Sequence, residues 1–337
     1  MKISKTGSVR VDLLGGTLDI HPINLVLKDV VTLNMATNLL ACASIESLDE
    51  DSVIFHSSDY NVTKSFSLDQ LNNIDSYLSD FGPFEFVARI VHFFLPTGGL
   101  KISLSSGAPP GSGLGGSSAM GAVLFSACAD YFDLSFEREK IVQVVQNIES
   151  KILNAGPAGY QDYYPSLFGG VLALESEVAG VQVKQLFSSD LSNFLEDNIR
   201  LIFSGESRQS GINNWEVYKG FFDGNELIRE GLENISQITQ AAYKCILSKD
   251  FNGLLQYVAE EGSIRETLFP TILTENMKQF KDDLLKLDSS VGMKVCGAGG
   301  GGCFIITGAS KLDLTDILRK YSMKELPFSV HLPKGDA

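Results

Sequence analysis

Residues 107–119 read GAPPGSGLGGSSA, a stretch of five glycines, two prolines and three serines with little side-chain bulk. Before it, Leu100–Ser106 alternates apolar and polar residues, as a strand does. After it, Met120–Phe132 has apolar residues at helical spacing. We therefore predict a glycine loop that opens a helix. Free backbone N–H groups at such a helix start attract anions, and phosphate is the first candidate ligand.

Several kinds of glycine loop could account for Gly111–Ala119. A Walker loop requires a lysine after its last glycine, and this stretch has none, which excludes it. The stretch does satisfy GxGxxG, but dinucleotide-binding folds also place an acidic residue at the end of a second strand about twenty residues later. Here that region, FEREKIVQVVQNIES, indicates a helix. A dinucleotide-binding oxidoreductase and a ligand-free structural turn remain as alternatives.

Composition narrows the class of protein. The chain has 337 residues and a formal net charge of −14, which argues against a nucleic-acid-binding surface. The start is too polar for a signal peptide, and no apolar run reaches membrane-spanning length. Five scattered cysteines without a CxxC pair indicate reduced thiols, and four dispersed histidines make a zinc site improbable. We expect a cytoplasmic protein without membrane or nucleic-acid partners.

Hydrophobic patterning predicts an α+β chain in two parts. The first hundred residues are rich in strand patterns, and a helix is expected over Phe84–Pro96. The second half is dominated by helical patterns before a strand–loop–strand unit. Its predicted segments are helices over Asn213–Leu247, Phe251–Phe269 and Thr271–Leu287, the unit Gly292–Gly308, and a last strand over Pro327–Leu332. We predict domains at 1–190 and 191–337.

Three motifs in order resemble those of the GHMP kinases, the superfamily named after galactokinase, homoserine kinase, mevalonate kinase and phosphomevalonate kinase. PPGSGLGGSSA at 109–119 resembles the second motif, SVRVDLLGGTLDIHP at 8–22 the first, and KVCGAGGGGCF at 294–304 the third. Together they span nearly the whole chain. The resemblance implies a ribosomal protein S5 domain 2-like N-terminal domain and a ferredoxin-like C-terminal domain. The active site would lie between them.

The resemblance also implies ATP and Mg²⁺ as cofactors. Glycine backbone can cradle phosphates, and serine hydroxyls can face the metal ion. The predicted phosphate-binding residues are Pro110, Gly111, Ser112, Gly113, Leu114, Gly115, Gly116, Ser117 and Ser118. Ser117 or Ser118 would bind Mg²⁺ together with Glu149, although a solvated helix-end glutamate is the alternative for Glu149. The third motif, with Gly297, Gly299, Gly300 and Gly301, would support the active-site loops.

The acceptor side is assigned through GYQDYYPSLFGG at 159–170, which resembles a segment of the sugar 1-kinase branch, containing heptose 7-phosphate kinases and fucokinases. There Asp162 would act as the catalytic base. Arg10, in the first motif, would stabilise the developing alkoxide. The expected substrate-binding residues are Thr17, Asp19, His21, Gln161 and Arg208. In the first motif, this branch usually has threonine directly before the aspartate that matches Asp19, whereas this chain has Leu18 there. This departure concerns the identity of the acceptor and leaves the predicted reaction type unchanged.

The sequence thus favours an ATP- and Mg²⁺-dependent kinase that phosphorylates the anomeric hydroxyl of a hexose- or heptose-type sugar or sugar phosphate. A homodimer is one possible assembly. A mevalonate-type kinase acting on a hydroxy acid is the first alternative. A non-catalytic regulator that binds sugar and ATP is the second.

Overall fold

The computed structural model describes residues 1–153, 158–207, 212–310 and 312–335. The strands in these ranges are β1 (Lys2–Leu14), β2 (Val31–Ser47), β3 (Ser52–Ser57), β4 (Val62–Ser67), β5 (Leu100–Ser105), β6 (Val171–Glu177), β7 (Gly180–Gln185), β8 (Ile199–Phe203), β9 (Gly292–Val295), β10 (Cys303–Thr307) and β11 (Lys324–Glu325). The α-helices are α1 (Ile23–Val26), α2 (Leu68–Asn72), α3 (Leu78–Phe81), α4 (Glu85–His92), α5 (Gly116–Tyr131), α6 (Arg138–Leu153), α7 (Tyr164–Phe168), α8 (Ser189–Asn198), α9 (Asn214–Phe222), α10 (Glu226–Leu247), α11 (Phe251–Leu268), α12 (Glu275–Leu287) and α13 (Thr315–Lys320).

The first seven strands form one sheet around the long strand β2. The order is β4-β3-β5-β2-β6-β7, and β1 pairs with β2 outside this path. The β3–β5 pair is parallel, and the other pairs of this sheet are antiparallel. Successive residues of a strand point to opposite faces. Arg10 and Asp12 therefore project from the same side of β1.

Helices cover both faces of this sheet. On one face, α4, α5 and α6 enclose a core with many phenylalanines, among them Phe81, Phe84 and Phe125. Helix α5 is apolar around much of its circumference, as expected for a helix buried on several sides. On the other face, Val11 and Leu13 of β1 belong to a core shared with α10, α11 and the second sheet.

The second sheet has the order β11-β8-β10-β9 in the described residues, with antiparallel pairs throughout. Its core is completed by α9, α12 and α13. The turn between β9 and β10 runs from Cys296 to Gly302 and contains the glycines of the predicted third motif. We call this turn the glycine hairpin. The predicted boundary after residue 190 falls within α8, between the strands of the two sheets. The domain division itself stays a prediction.

After β11 the chain returns to the first sheet. Val330 forms a bridge with Thr37, the backbone N–H of His331 donates to the carbonyl of Ala36 at 2.9 Å, and that of Gly170 donates to the His331 carbonyl at 2.8 Å. The Lys334 ammonium donates to two backbone carbonyls of the first domain's elements. The second sheet is therefore connected to the first at both of its ends.

Three of the predicted elements are wrong in their bounds. The helix expected over Asn213–Leu247 is broken between α9 and α10, where Gly224 has a φ of +81° and the Asn225 side chain caps α10. The helix expected from Thr271 begins at Glu275, because the Thr274 hydroxyl caps it. The last strand expected over Pro327–Leu332 is reduced to the bridge at Val330, and β11 lies earlier. Within the described ranges, no helix combines the length and apolar character needed to cross a membrane.

Candidate active site

The glycine loop at 107–115 connects β5 to α5 and lines a cavity of about 480 Å³. Gly115, in the left-handed conformation with φ +70°, precedes the first turn of α5, and no side chain caps this helix. Its first N–H groups are thus left to a ligand, and the helix dipole favours an anion there. Eight of the nine predicted phosphate-binding residues line the cavity. The exception is Leu114, whose side chain is buried in the core and whose carbonyl accepts a hydrogen bond from the Arg10 backbone N–H at 3.0 Å.

Glu149 faces the start of α5. The buried Ser118 hydroxyl donates to its carboxylate at 2.8 Å, and the Tyr163 hydroxyl donates to the same oxygen. Burial raises the pKa of Glu149, and these hydrogen bonds offset part of that rise. Ser117, by contrast, is exposed at the cavity. The alternative of a solvated helix-end glutamate is wrong, since this carboxyl is enclosed and faces the cavity.

The oxygen donors around Glu149 are of the kind that Mg²⁺ prefers. The described residues contain no group of three or more acidic, histidine or cysteine side chains that could hold a metal ion alone. This matches the usual mode of Mg²⁺, which takes one or two carboxylates and completes its shell with phosphate oxygens and water. Ser118 and Glu149 fit a nucleotide-bound Mg²⁺.

Arg10 and Asp162 form an ion pair at the inner end of the cavity. The Arg10 Nε and Nη2 atoms lie 2.8 and 2.7 Å from Asp162 Oδ1. Its Nη1 donates to the carbonyl of Gly113 at 2.6 Å and to that of Cys296 at 2.8 Å. Burial alone would lower the pKa of Arg10, but the carboxylates of Asp162 and Asp12 outweigh it, so the pKa is raised. Arg10 is therefore a fixed cation.

Asp162 lies between this cation and the glycine loop. Both contacts from Arg10 go to Oδ1, and the side chain is 27% exposed. The backbone of the loop comes equally close, since a Cβ on Gly115 would sit 3.1 Å from Asp162 Cβ. A carboxylate with one oxygen bound to a cation and the other facing a cavity can accept a proton from a nearby hydroxyl.

Four of the five predicted acceptor residues lie within the described part of the chain. Asp19 is buried, its carboxylate accepts the Gln161 backbone N–H at 3.0 Å, and burial raises its pKa to about 7. Thr17 is buried with a φ of +81°, which fixes the turn before Asp19. His21 is exposed at the end of the same turn. Arg208 lies outside the described residues.

The glycine hairpin packs directly against the glycine loop. A Cβ on Gly297 would lie 2.8 Å from the Gly113 carbonyl oxygen, and one on Gly302 would lie 2.7 Å from that of Ser112. The Cys303 N–H donates to the Ser112 carbonyl at 2.6 Å. Side chains at these glycines would separate the two loops. Gly299 and Gly301 likewise approach backbone carbonyls, and the Gly300 N–H donates to one.

Two features were not predicted. Tyr163 is buried, and its hydroxyl donates to the Glu149 carboxylate. A cluster of buried charges, consisting of Asp12, Glu261, Arg265 and Lys294, adjoins the first and third motifs. Glu261 and Arg265 have helical i,i+4 spacing among apolar residues of α11. Charges on an apolar helix face were the signal that could have revealed them.

Comparison with known proteins shows what this chain is similar to. Residues 84–170 match the model described as GHMP kinases N terminal domain. The chain is 26% identical over 335 residues to the D-glycero-alpha-D-manno-heptose 7-phosphate kinase of Campylobacter jejuni, covering 95% of this chain and 94% of that protein. It is 25% identical over 291 residues to the mevalonate kinase of Methanocaldococcus jannaschii, covering 81% and 84%.

A third relative is the bifunctional fucokinase/GDP-fucose pyrophosphorylase of Arabidopsis thaliana, 24% identical over 318 residues. The match covers 88% of this chain but only 29% of that longer protein. Among solved structures, Methanococcus jannaschii mevalonate kinase matches with a TM-score of 0.74 at 19% identity, covering 98% of both chains. A putative sugar kinase from Campylobacter jejuni matches with a TM-score of 0.72 at 23% identity, covering 98% and 95%. The predicted family resemblance and two-domain α+β fold are confirmed.

The contact between the two glycine loops gives a direct test of the cavity. We expect Gly297→Ala to weaken binding of a non-hydrolysable ATP analogue by about tenfold, because its Cβ would push on the Gly113 carbonyl. Calorimetric titration would measure the affinity. Gly98→Ala is the matched control, since a Cβ at Gly98 meets nothing within 4 Å. Equal affinities for the two variants would contradict the role of the hairpin as a support for the nucleotide site.

Proposed function

We propose that this chain, whose residues 84–170 match the model described as GHMP kinases N terminal domain, is an ATP-dependent kinase that phosphorylates the anomeric hydroxyl of a hexose- or heptose-type sugar. The observation that carries this proposal is the Arg10–Asp162 pair, which lies against the backbone of the phosphate loop. A carboxylate that could act as the base and a helix start that could bind an anion therefore line one cavity, and the carboxylate is paired with a buried cation. Phosphoryl transfer needs little more than this positioning and charge neutralisation.

The donor would occupy the cavity along the glycine loop. Its phosphates would accept hydrogen bonds from the first N–H groups of α5, where the backbone approaches without side chains. The apolar part of the cavity, lined by Val62, Phe84 and Leu104, suits the flat face of a nucleotide base. Ser118 and Glu149 would hold Mg²⁺, which when bound neutralises charge on the phosphate oxygens.

Asp162 would take the proton of the acceptor hydroxyl. An anomeric hydroxyl ionises near pH 12 (order of magnitude), so a carboxylate needs a cation beside the developing alkoxide. Arg10 is that cation, because its buried guanidinium stays charged and is held by three hydrogen bonds and one further ion-pair contact. These are fixed before the reaction, so no reorganisation is needed as the charge develops.

The acceptor pocket favours a polyhydroxylated compound over a hydroxy acid. Asp19 presents a buried carboxylate, and Gln161 has a buried side-chain oxygen that accepts no hydrogen bond from the described residues. Acceptor groups of this kind suit sugar hydroxyls. A carboxylate substrate would instead need an unpaired cation, and the buried cations Arg10, Arg265 and Lys294 of the described residues are each already paired with a carboxylate. The mevalonate-type alternative rests on the relatives of that name.

A coupled ADP-release assay over a panel of free and phosphorylated hexoses and heptoses, with mevalonate included, tests the proposal. We expect turnover with one group of sugars, and NMR of the product should place the phosphate on the anomeric oxygen. Turnover with mevalonate alone would replace the sugar by a hydroxy acid. ATP binding without turnover of any acceptor would favour a non-catalytic regulator.

The base assignment is tested at Asp162. Asp162→Asn keeps the shape and a hydrogen-bond acceptor for Arg10 but cannot take a proton. We expect kcat to fall by about 10²–10⁴-fold while the affinity for ATP changes little. Steady-state kinetics and calorimetry measure the two quantities. Asp130→Asn, which removes a carboxylate from a half-exposed surface ion pair with Lys5, is the control and should keep its activity. Near-normal turnover of Asp162→Asn would remove the general-base role.

Acceptor binding should depend on pH through Asp19. Burial raises its pKa to about 7, so the ionised form dominates above pH 7 and the neutral acid below it. Only the carboxylate can accept two sugar hydroxyls, so KM for the acceptor should rise by up to about tenfold per pH unit as pH falls below 7. We expect Asp19→Asn to have a higher KM that does not vary over this range. A flat KM between pH 8 and 6 in the unaltered protein would contradict the assignment.

A further inference from the structure

Four charged side chains next to the catalytic pair have no role in the proposed chemistry. Asp12, Glu261, Arg265 and Lys294 are each at most 2% exposed. Lys294 Nζ lies 2.8 Å from Asp12 Oδ2 and 3.4 Å from Glu261 Oε1, and Arg265 Nη1 lies 3.4 Å from Asp12 Oδ2. Two acids and two bases thus form one neutral, buried cluster.

Stability does not explain this cluster. Removing charges from water is costly, and well-packed apolar side chains in place of a buried ion pair are often as stable or more so. The hydrogen bonding is also incomplete within the described residues, since Asp12 Oδ1 and Arg265 Nε have no hydrogen-bond partner. An incompletely satisfied polar cluster is worse for stability than an apolar core. Its charges must therefore be judged by what else they contact.

Arg265, on α11, binds the backbone of the glycine hairpin. Its Nη1 donates to the carbonyl of Val295 at 3.2 Å, and its Nη2 donates to that of Gly297 at 2.8 Å. The carbonyl between them, that of Cys296, accepts from Arg10 Nη1 at 2.8 Å. Two arginines thus bind three successive backbone carbonyls. Arg10 binds the middle one, and Arg265 binds the carbonyls on either side of it. We call these three groups the hairpin carbonyls.

The remaining members tie Arg265 to the first motif. Asp12 lies two residues after Arg10 on β1, and Lys294 also donates to its backbone carbonyl at 3.1 Å. The carboxylate of Glu261, one turn before Arg265 on α11, accepts the Gly15 N–H at 2.7 Å in the turn that leads to Asp19. The cluster therefore reaches the strand of the catalytic cation, the acceptor turn and the hairpin carbonyls at once.

We propose that Arg265 is a positioning residue that sets the place of the Arg10 guanidinium through the hairpin carbonyls. Asp12 in turn orients Arg265. The proposal rests on the proposed kinase function for its catalytic consequence. An arginine is required because its planar fork binds two carbonyls simultaneously, whereas a lysine ammonium on a flexible stem cannot hold the same pair in fixed geometry. A shift of about 1 Å in a group that positions the reaction can cost about 100-fold in rate.

The conservative variant Arg265→Lys keeps the charge and loses the fork. With the acceptor that supports turnover, we expect kcat to fall about 10- to 100-fold, with KM for ATP changed less than about threefold. Arg200→Lys is the control. Arg200 is an ion-paired arginine on β8 of the second sheet, and it pairs with Ile306 of β10, away from the glycine hairpin. It should keep the kcat of the unaltered protein. Equal kcat in the two variants would overturn the proposal.

Amide hydrogen exchange provides a readout that does not depend on turnover. In Arg265→Lys we expect amide exchange over residues 295–303 and 112–114 to accelerate by about tenfold or more. Exchange in the remaining strand residues of the second sheet should be unchanged. In Arg200→Lys these segments should exchange as before. Unchanged protection in Arg265→Lys would overturn the positioning role. A protein without any kinase activity would refute the proposed function, while this exchange measurement would still decide the structural part.

Chemical rescue separates positioning from folding. Arg265→Ala opens a space of guanidinium shape, so added guanidinium ion at tens of millimolar should restore part of kcat, while methylammonium at the same concentration should not. Rescue by both cations would reduce the role to charge alone and contradict the fork. If both Arg265 variants failed to fold, Arg265 would be a structural residue, and the positioning proposal would be wrong.

Discussion

The guanidinium of Arg10 is the point at which the separate parts of this molecule meet. It is 4% exposed in its side chain and contacts the Asp162 carboxylate, the glycine loop and the glycine hairpin. A buried cation without such partners would be strongly unfavourable. Burial of Arg10 therefore requires three segments to pack together: the glycine loop, the glycine hairpin and the segment that carries Asp162. In the proposed reaction, phosphate binding and proton transfer would both depend on this guanidinium.

Two carboxyl groups of the candidate site, Glu149 and Asp19, form no ion pair with a cation within the described residues. Burial raises the pKa of both Glu149 and Asp19, which shows that these carboxylates lie in surroundings unfavourable to their ionised forms. Glu149 receives neutral hydroxyl donors rather than a cation. A bound cation or a polar ligand would supply what is missing, and ligands that bind only the folded state stabilise it.

The sequence predicted the fold class and the phosphate loop because both depend on local pattern. Glycines before a helical run indicate an exposed helix start, whatever the rest of the chain does. Three ordered motifs then carried the family resemblance and with it Arg10, and the separate segment at 159–170 carried the assignment of Asp162. The break between α9 and α10 was missed, since Gly224 interrupts a pattern that is helical on both sides.

The contacts that the sequence could not reveal are long-range. Tyr163 and Glu149 are on different elements, and nothing in either segment indicates that they meet. Arg265 is separated from Asp12 by 253 positions, and its role depends on the backbone of a third segment. Motif spacing identifies residues near the chemistry. Which side chains hold those residues in place depends on the packing of elements that are distant in the chain.

The return of the chain to the first sheet has a mechanical consequence. A lobe joined to its neighbour by a single linker can swing freely, whereas the second sheet enters through α8 and leaves through the residues around Val330, which bond to Ala36 and Gly170. Two fixed anchor points allow rocking about the line between them and little else. The residues around Val330 would therefore limit how far the two sheets can separate, although they lie far along the chain from both Arg10 and Asp162.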